Sequence, residues 1–343
     1  DDWSAYRGGF RADWSDHFTL QGDLYQVHTD QIASIPTLTA PYSLVEEETM
    51  ETNGANLLGR WTDQFANGGT FTAQTYIDYF RRDEVRLDDE RLIYDLDTQY
   101  NFPGSDKHEV IIGAGYRFMR DNLSGVPVIT FSPDSRNDHL FSAFIQDQIT
   151  LIPEKWFLTL GSKFEHNDYS GFEFQPNARL MWHPDKDKSV WAAASHAVRT
   201  PSRLEHDLTL TIGVLAPGAL LAGLADVVTA PNRDFDSEEL TAYELGYRQQ
   251  VTSSLSVDIA AFYNDYDNLS ALSLLPFQTG VNPARTIIPL SFDNIETAET
   301  YGAELATKWS VTQKWSVEAS YSLLDIQVHT PTVLNVSQEL EEV

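Results

Sequence analysis

The sequence predicts an all-β chain folded as a transmembrane antiparallel up-and-down β-barrel, and three observations predict it. Apolar and polar residues alternate with period two in about fourteen segments. Short and long connections between those segments alternate strictly, and seven of the eight tryptophans lie beside the short ones.

Taken along the chain, the strand candidates are 4–14, 18–28, 56–65, 70–81, 92–102, 108–118, 139–152, 156–166, 174–182, 190–199, 240–249, 255–266, 300–309 and 315–324. In the last, Trp315, Val317, Ala319, Tyr321 and Leu323 share one face, and Ser316, Glu318, Ser320 and Ser322 the other. In 108–118, Val110, Ile112, Ala114, Tyr116 and Phe118 oppose Glu109, Gly113, Gly115 and Arg117. In 92–102, Tyr94, Leu96, Tyr100 and Phe102 oppose Asp95, Asp97, Gln99 and Asn101. A soluble sandwich would give the same one-dimensional pattern, so periodicity alone does not choose between them.

Connections choose. Turn chemistry closes the short ones at 15–17, 66–69, 103–107, 153–155, 184–188, 251–254 and 311–314. Longer polar or irregular stretches fill 29–53, 82–91, 119–137, 167–173, 200–239 and 267–293. In an up-and-down meander this puts every tight turn at one end and every long loop at the other, as in barrels with short periplasmic turns and longer extracellular loops. Rings at the depth of the lipid headgroups are the second expectation. Trp14 and Phe18, then Trp61, Phe65 and Phe71, Phe102, Trp156, Trp182 and Trp191, Tyr247, and Trp309 and Trp315 flank the successive short turns.

Composition narrows the function. A formal charge of -28, with 23 Lys and Arg against 51 acids, argues against a nucleic-acid partner, which needs clustered cations. With no cysteine, disulfides, thiolate zinc sites and cysteine nucleophiles are excluded for this stretch. No run reaches the ~18 apolar residues of a membrane helix. The nearest, 214–228, contains Pro217, Gly218, Gly223 and Asp226. Residue 1 follows no basic and apolar leader, so a leader is expected upstream. The nine histidines lack metal-ligand spacing, no phosphate-binding loop or Gly-x-Ser-x-Gly motif occurs, and Ser162 lacks a nucleophile-elbow context. Neither an enzyme nor a cofactor is expected. The acidic runs 46–48 and 88–90 read as solvated loop rather than calcium ligands.

The run 140–203 carries AFIQD, QPNAR and RTPSR, and resembles the central strands of TonB-dependent iron-complex receptors in the outer membrane. The segment 239–269, with YELGY and FYNDY, and the segment 294–309, with Gly302 and Glu304, are similar to later strands of that family. The resemblance covers essentially all of 1–343. It implies a partial barrel domain, about fourteen of the family's twenty-two strands, with the plug and the C-terminal strands absent, and hence two unpaired edges that would keep this segment from closing alone.

It also implies active uptake of a ferric siderophore or other metal chelate, driven by the TonB complex through the plug, in contact with outer-membrane lipid. A passive porin or diffusion channel and a soluble all-β binding protein are the alternatives. Many ferric siderophores are anionic, so basic and aromatic residues at the loop end are the candidate ligand contacts: Arg117, Arg120, Arg136, Arg199, Arg203 and Tyr266. Each has an alternative as a partner in a lumen salt bridge. Arg7, Arg11, Asp95, Asp97, Arg179, Asp258 and Glu304 read as lumen groups paired across strands. The apolar stretch 212–228 is expected either to pack against other loops or to form a short helix over the pocket.

Overall fold

A computed structural model describes residues 2–15, 17–219 and 223–330. Its first half comprises β1 (Trp3–Trp14), β2 (Phe18–Pro36), β3 (Ser43–Gln64), β4 (Thr70–Asp83), β5 (Leu87–Asn101), β6 (His108–Gly125), β7 (Ile129–Phe131), β8 (Ser135–Ile152) and β9 (Trp156–Asn167). Then follow β10 (Gly171–Trp182), β11 (Lys188–Arg199), α1 (Arg203–Asp207), β12 (Leu208–Leu215), β13 (Ala225–Ala230), β14 (Glu238–Thr252), β15 (Leu255–Leu274), β16 (Gln278–Val281), β17 (Ala284–Thr312) and β18 (Trp315–His329).

Fourteen of these, all but the short β7, β12, β13 and β16, form one antiparallel meander in which each strand pairs with the next. β1 pairs along β2 alone and β18 along β17, so the sheet is open. The tight-turn ends agree with the sequence reading to within about three residues. At the other end the strands run further than expected: β2 and β3 stay paired up to Pro36 and Ser43, and only residues 84–86 separate β4 from β5. There both faces are polar, as where Gln31, Ile32 and Ala33 pair with Glu48, Glu47 and Glu46, so alternation fades while backbone pairing continues.

Burial decides between barrel and sandwich. The buried apolar residues are Ala33, Ile35, Leu87, Leu123, Leu208, Leu224, Ala225, Phe235 and Ala298, all at the loop end, and among the described residues no apolar layer runs along the sheet. The outward face instead exposes Leu24, Ile77, Leu92, Ile145, Leu160, Phe164, Phe174, Leu245, Ile259 and Leu305. A continuous apolar band of that kind is a liability in water and a requirement in lipid. Its lower rim is ringed: Trp14 lies 5.6 Å from Phe18, Trp61 5.7 Å from Phe71, and Trp156 stacks on Trp182 at 5.3 Å.

The other face is polar and cross-linked between strands. Arg7 meets Asp23 at 3.2 Å, Arg117 meets Asp95 at 2.8 Å, and Arg179 reaches Glu244 at 3.8 Å across the small Ala193 of the intervening strand. Arg248 bonds Asp258 at 2.6 Å, and Arg11 bonds Asp13 and Gln21. These are the lumen partners that the alternation required. On the same face aromatic rings occupy the space over directly opposed glycines: Tyr25 over Gly54, Phe144 over Gly113, Trp191 over Gly246 and Phe262 over Gly302. A Cβ at Gly246 would overlap the Trp191 ring. Gly246→Val is therefore expected to cost about 1–3 kcal/mol by overpacking. Measured by thermal unfolding, most of that loss should vanish when Trp191→Ala is added, because the two changes share one contact.

Candidate functional site

At the loop end the meander carries a second structure across its mouth. The chain leaves β11, forms α1, and returns as the hairpin β12–β13. One side of this hairpin pairs with β7, Leu208 against Phe131, and the other runs parallel to the start of β17, Ala225 to Ala230 against Thr286 to Ser291. β12 also touches β2, whose Ala33 and Ile35 are buried. The hairpin thus spans from the β6–β8 connection to the β15–β17 connection. Of the two expectations for 212–228, packing against other loops is what its described residues, 212–219 and 223–228, show.

Short polar contacts fasten it. Arg285 meets Asp226 at 3.0 Å, Asn232 donates to Asp293 at 2.7 Å, and Asn294 donates to the Asp236 carbonyl at 3.0 Å. His206 Nε2 donates to the Phe235 carbonyl at 2.9 Å. Asp207, 1% exposed at its side chain, receives Arg203 at 2.8 Å, Arg136 at 3.1 Å and Arg233 at 3.5 Å. Arg203 also binds Asp121 and the Pro133 carbonyl, and its guanidinium lies 5.4 Å from the Phe131 ring.

The turn into α1 follows from its sequence. Ser202 caps the helix, and Glu205 three residues on completes a capping box, accepting the Ser202 N–H at 2.9 Å. Burial pushes the Glu205 pKa up, but the Ser202 hydroxyl and N–H and the Arg199 guanidinium outweigh it and hold the carboxyl below its ordinary value. A depressed folded pKa contributes stability that is full above the ordinary glutamate value and lost as pH falls through the depressed one. The segment 202–207 should therefore hold at neutral pH and loosen below about pH 4. Hydrogen exchange of the His206 N–H, which bonds the Ser202 carbonyl at 3.2 Å, reads this directly. Glu205→Gln keeps a capping-box acceptor but carries no charge, so it should remove the pH dependence of that exchange.

Beneath α1 and the start of β12 lies a cavity of about 450 Å³ against the lumen wall. Arg91, Arg117 and Arg203, Asp121, Asp138 and Asp168, and Tyr169 supply its polar side chains, with Ile93, Met119, Leu123, Phe131, Leu140 and Leu208 between them. Tyr169 donates to Asp138 at 2.8 Å, and Arg136 sits 4.2 Å over its ring. Burial, reinforced by the Asp138 carboxylate, pushes the Tyr169 phenol far up, so it stays protonated as a donor. A wall of fixed donors and acceptors around apolar patches suits a compact, partly polar small molecule.

The six candidate residues separate. Arg117 and Arg203 line the cavity, and Arg136 adjoins it through Tyr169 and Asp207. Arg199 lies at the end of β11 and is held by Glu238 at 2.6 Å and Glu205 at 3.1 Å. Tyr266 is on the lumen face of β15, level with Leu240, and is not part of the cavity wall. Arg120 stands on the outward face, level with Leu92, and is exposed. Sequence reasoning missed the acidic half of the cluster, Asp121, Asp138 and Asp207, together with Tyr169. One signal was available: Ser202-x-x-Glu205 directly after Thr200-Pro201 marks a helix start at the loop entry.

A family model described as TonB dependent receptor-like, beta-barrel matches residues 2–337. The iron-regulated outer membrane virulence protein of Vibrio cholerae serotype O1 is 27% identical over 190 residues, 53% of this chain and 26% of that protein. The probable TonB-dependent siderophore receptor PiuA of Acinetobacter baumannii is 24% identical over 192 residues, 54% of this chain and 24% of that one. Among solved structures, the siderophore receptor PirA of Pseudomonas aeruginosa superposes with a TM-score of 0.67 at 17% identity, covering 95% of this chain and 58% of that one. A mutant of the ferric enterobactin receptor PfeA of the same organism superposes with a TM-score of 0.69 at 16% identity, covering 94% and 51%. The chain thus spans about half the length of these solved structures, and the matched stretch is about a quarter of the curated relatives.

Proposed function

The chain belongs to the TonB-dependent receptor β-barrel family, and on that premise we propose that it is the wall and part of the mouth of an outer-membrane receptor for active uptake of a ferric siderophore or similar metal chelate. In the whole protein, further strands would close the cylinder between β1 and β18, and a plug would fill the polar lumen and couple to the TonB complex. The outward apolar band would sit in outer-membrane lipid.

The observation that carries this reading is the cavity under a fastened hairpin, on the lumen face and at the loop end of a membrane meander. A diffusion channel works through a clear passage, whereas here a loop is stitched from one side of the mouth to the other. The chemistry in the cavity is that of binding: arginines held by carboxylates, a protonated phenol and apolar ground between them. The test is growth. A strain without the intact gene should fail on a particular ferric chelate as its only iron source and recover with the intact gene. Equal growth of both strains on every iron source, including under iron starvation, would refute the uptake reading.

A further inference from the structure

We propose that this cavity selects metal chelates of zero or positive net charge and discriminates against strongly anionic ones. The proposal rests on the uptake reading and names the ligand class of the same site. Every arginine at the cavity is already committed to a carboxylate. Arg91 grips Asp89 through two bonds, at 2.7 and 2.8 Å, and Arg117 holds Asp95 at 2.8 Å. Arg136 holds Asp138 at 2.6 Å and Asp207 at 3.1 Å, while Arg203 is shared between Asp121 and Asp207. Arg199, just behind, faces two carboxylates, Glu205 and Glu238.

Carboxylates are left over. Asp168 lines the cavity and is exposed; its side chain accepts the His139 N–H at 2.6 Å and meets no cation among the described residues. Glu173, near the mouth, takes the hydroxyls of Ser170 and Ser237 and likewise has no cationic partner among the described residues. The fixed charge around the cavity is therefore acidic.

A tris-catecholate complex of iron(III) carries three negative charges at the metal. The cavity arginines keep spare N–H groups, but each one's charge is already balanced by a carboxylate, nearly buried at Asp89, Asp121, Asp138 and Asp207, so an anion pays its desolvation cost for little net attraction. Like-charge contact with Asp168 adds to that cost. A tris-hydroxamate complex of iron(III) is neutral at the metal and avoids that cost. With a free ammonium group on its backbone it becomes cationic and gains Asp168 as a partner.

The intact receptor, purified in detergent, tests this by quenching of tryptophan fluorescence with three probes: a neutral ferric tris-hydroxamate, a tris-hydroxamate bearing a free ammonium group, and a ferric tris-catecholate. The expected result is that the neutral or the cationic complex binds at least tenfold more tightly than the tris-catecholate. Asp168→Asn, which keeps an acceptor for the His139 N–H, should weaken the cationic probe several-fold and leave the neutral probe unchanged. Tightest binding of the tris-catecholate overturns the charge selection while leaving uptake intact. Failure of all three probes to bind, together with growth that never depends on the gene, overturns the uptake reading and the selection with it.

Discussion

Asp207→Ala is expected to release the β12–β13 hairpin from the wall and abolish uptake. Among the described residues Asp207 alone is shared by three arginines, and Arg203 is itself only 9% exposed at its side chain. Removing Asp207 leaves Arg203 with Asp121 alone and Arg136 with Asp138 alone, and takes the carboxylate from Arg233, so three charged hydrogen bonds go at once, a loss of about 3 kcal/mol. That loss falls on the loop end alone, because the meander below is held by its own backbone pairing. Hydrogen exchange in 208–230 should rise by two or more orders of magnitude, with the strands 156–199 unaffected. A protease should gain a cut within the hairpin. Unchanged exchange in 208–230 would mean that the pairing of β12 with β7 and of β13 with β17 holds the hairpin without the ion cluster.

Leu160→Arg is expected to prevent assembly into the membrane, while Thr159→Arg, its neighbour, is tolerated. Leu160 points outward and is exposed; it lies four residues above Trp156, roughly 10 Å along the membrane normal for a strand tilted by about 40°. An arginine near the midplane of a barrel's lipid face costs about 2–4 kcal/mol. Thr159 lines the polar cavity of about 670 Å³ lower on the lumen wall, beside Gln146, Gln148 and Glu244, where an added cation meets water and a carboxylate. The measurement is the amount of folded receptor recovered from outer membranes, compared between the two variants. Equal recovery would contradict the assignment of the two faces.

The fold was legible because its physics is local. Alternation in segments such as 156–166 and 315–324 reports two different solvents on the two faces, and turn residues such as those at 153–155 mark where the chain reverses. The fourteen meander strands were accordingly visible in one dimension, and so were the lumen pairs of Arg7, Asp95, Arg179 and Asp258 and the aromatic rim, except that Trp191, expected in the rim, lies on the lumen face over Gly246. The loop end was less so. Above the lipid both faces meet water, so the continuation of β2 and β3 to Pro36 and Ser43 left no periodic trace. The site itself is made by contacts of long sequence separation, as between Arg203 and Asp121 or Arg233 and Ser132. Choosing arginines found one half of each pair. The carboxylates that neutralise them, on which the proposed preference for neutral or cationic chelates rests, carry no local signature.

One face of this meander touches lipid and the other a wet lumen, and these 343 residues, which lack cysteine, accept single cysteines as reporters of the two environments. Nitroxide labels on single cysteines along β9, in the intact receptor in membranes, should collide with oxygen at positions 158, 160, 162 and 164. Labels at 159, 161 and 163 should collide with a water-soluble nickel chelate. Labels that show no such alternation, or that are shielded from both reagents at the even positions as in a packed protein core, would contradict that arrangement of the two faces.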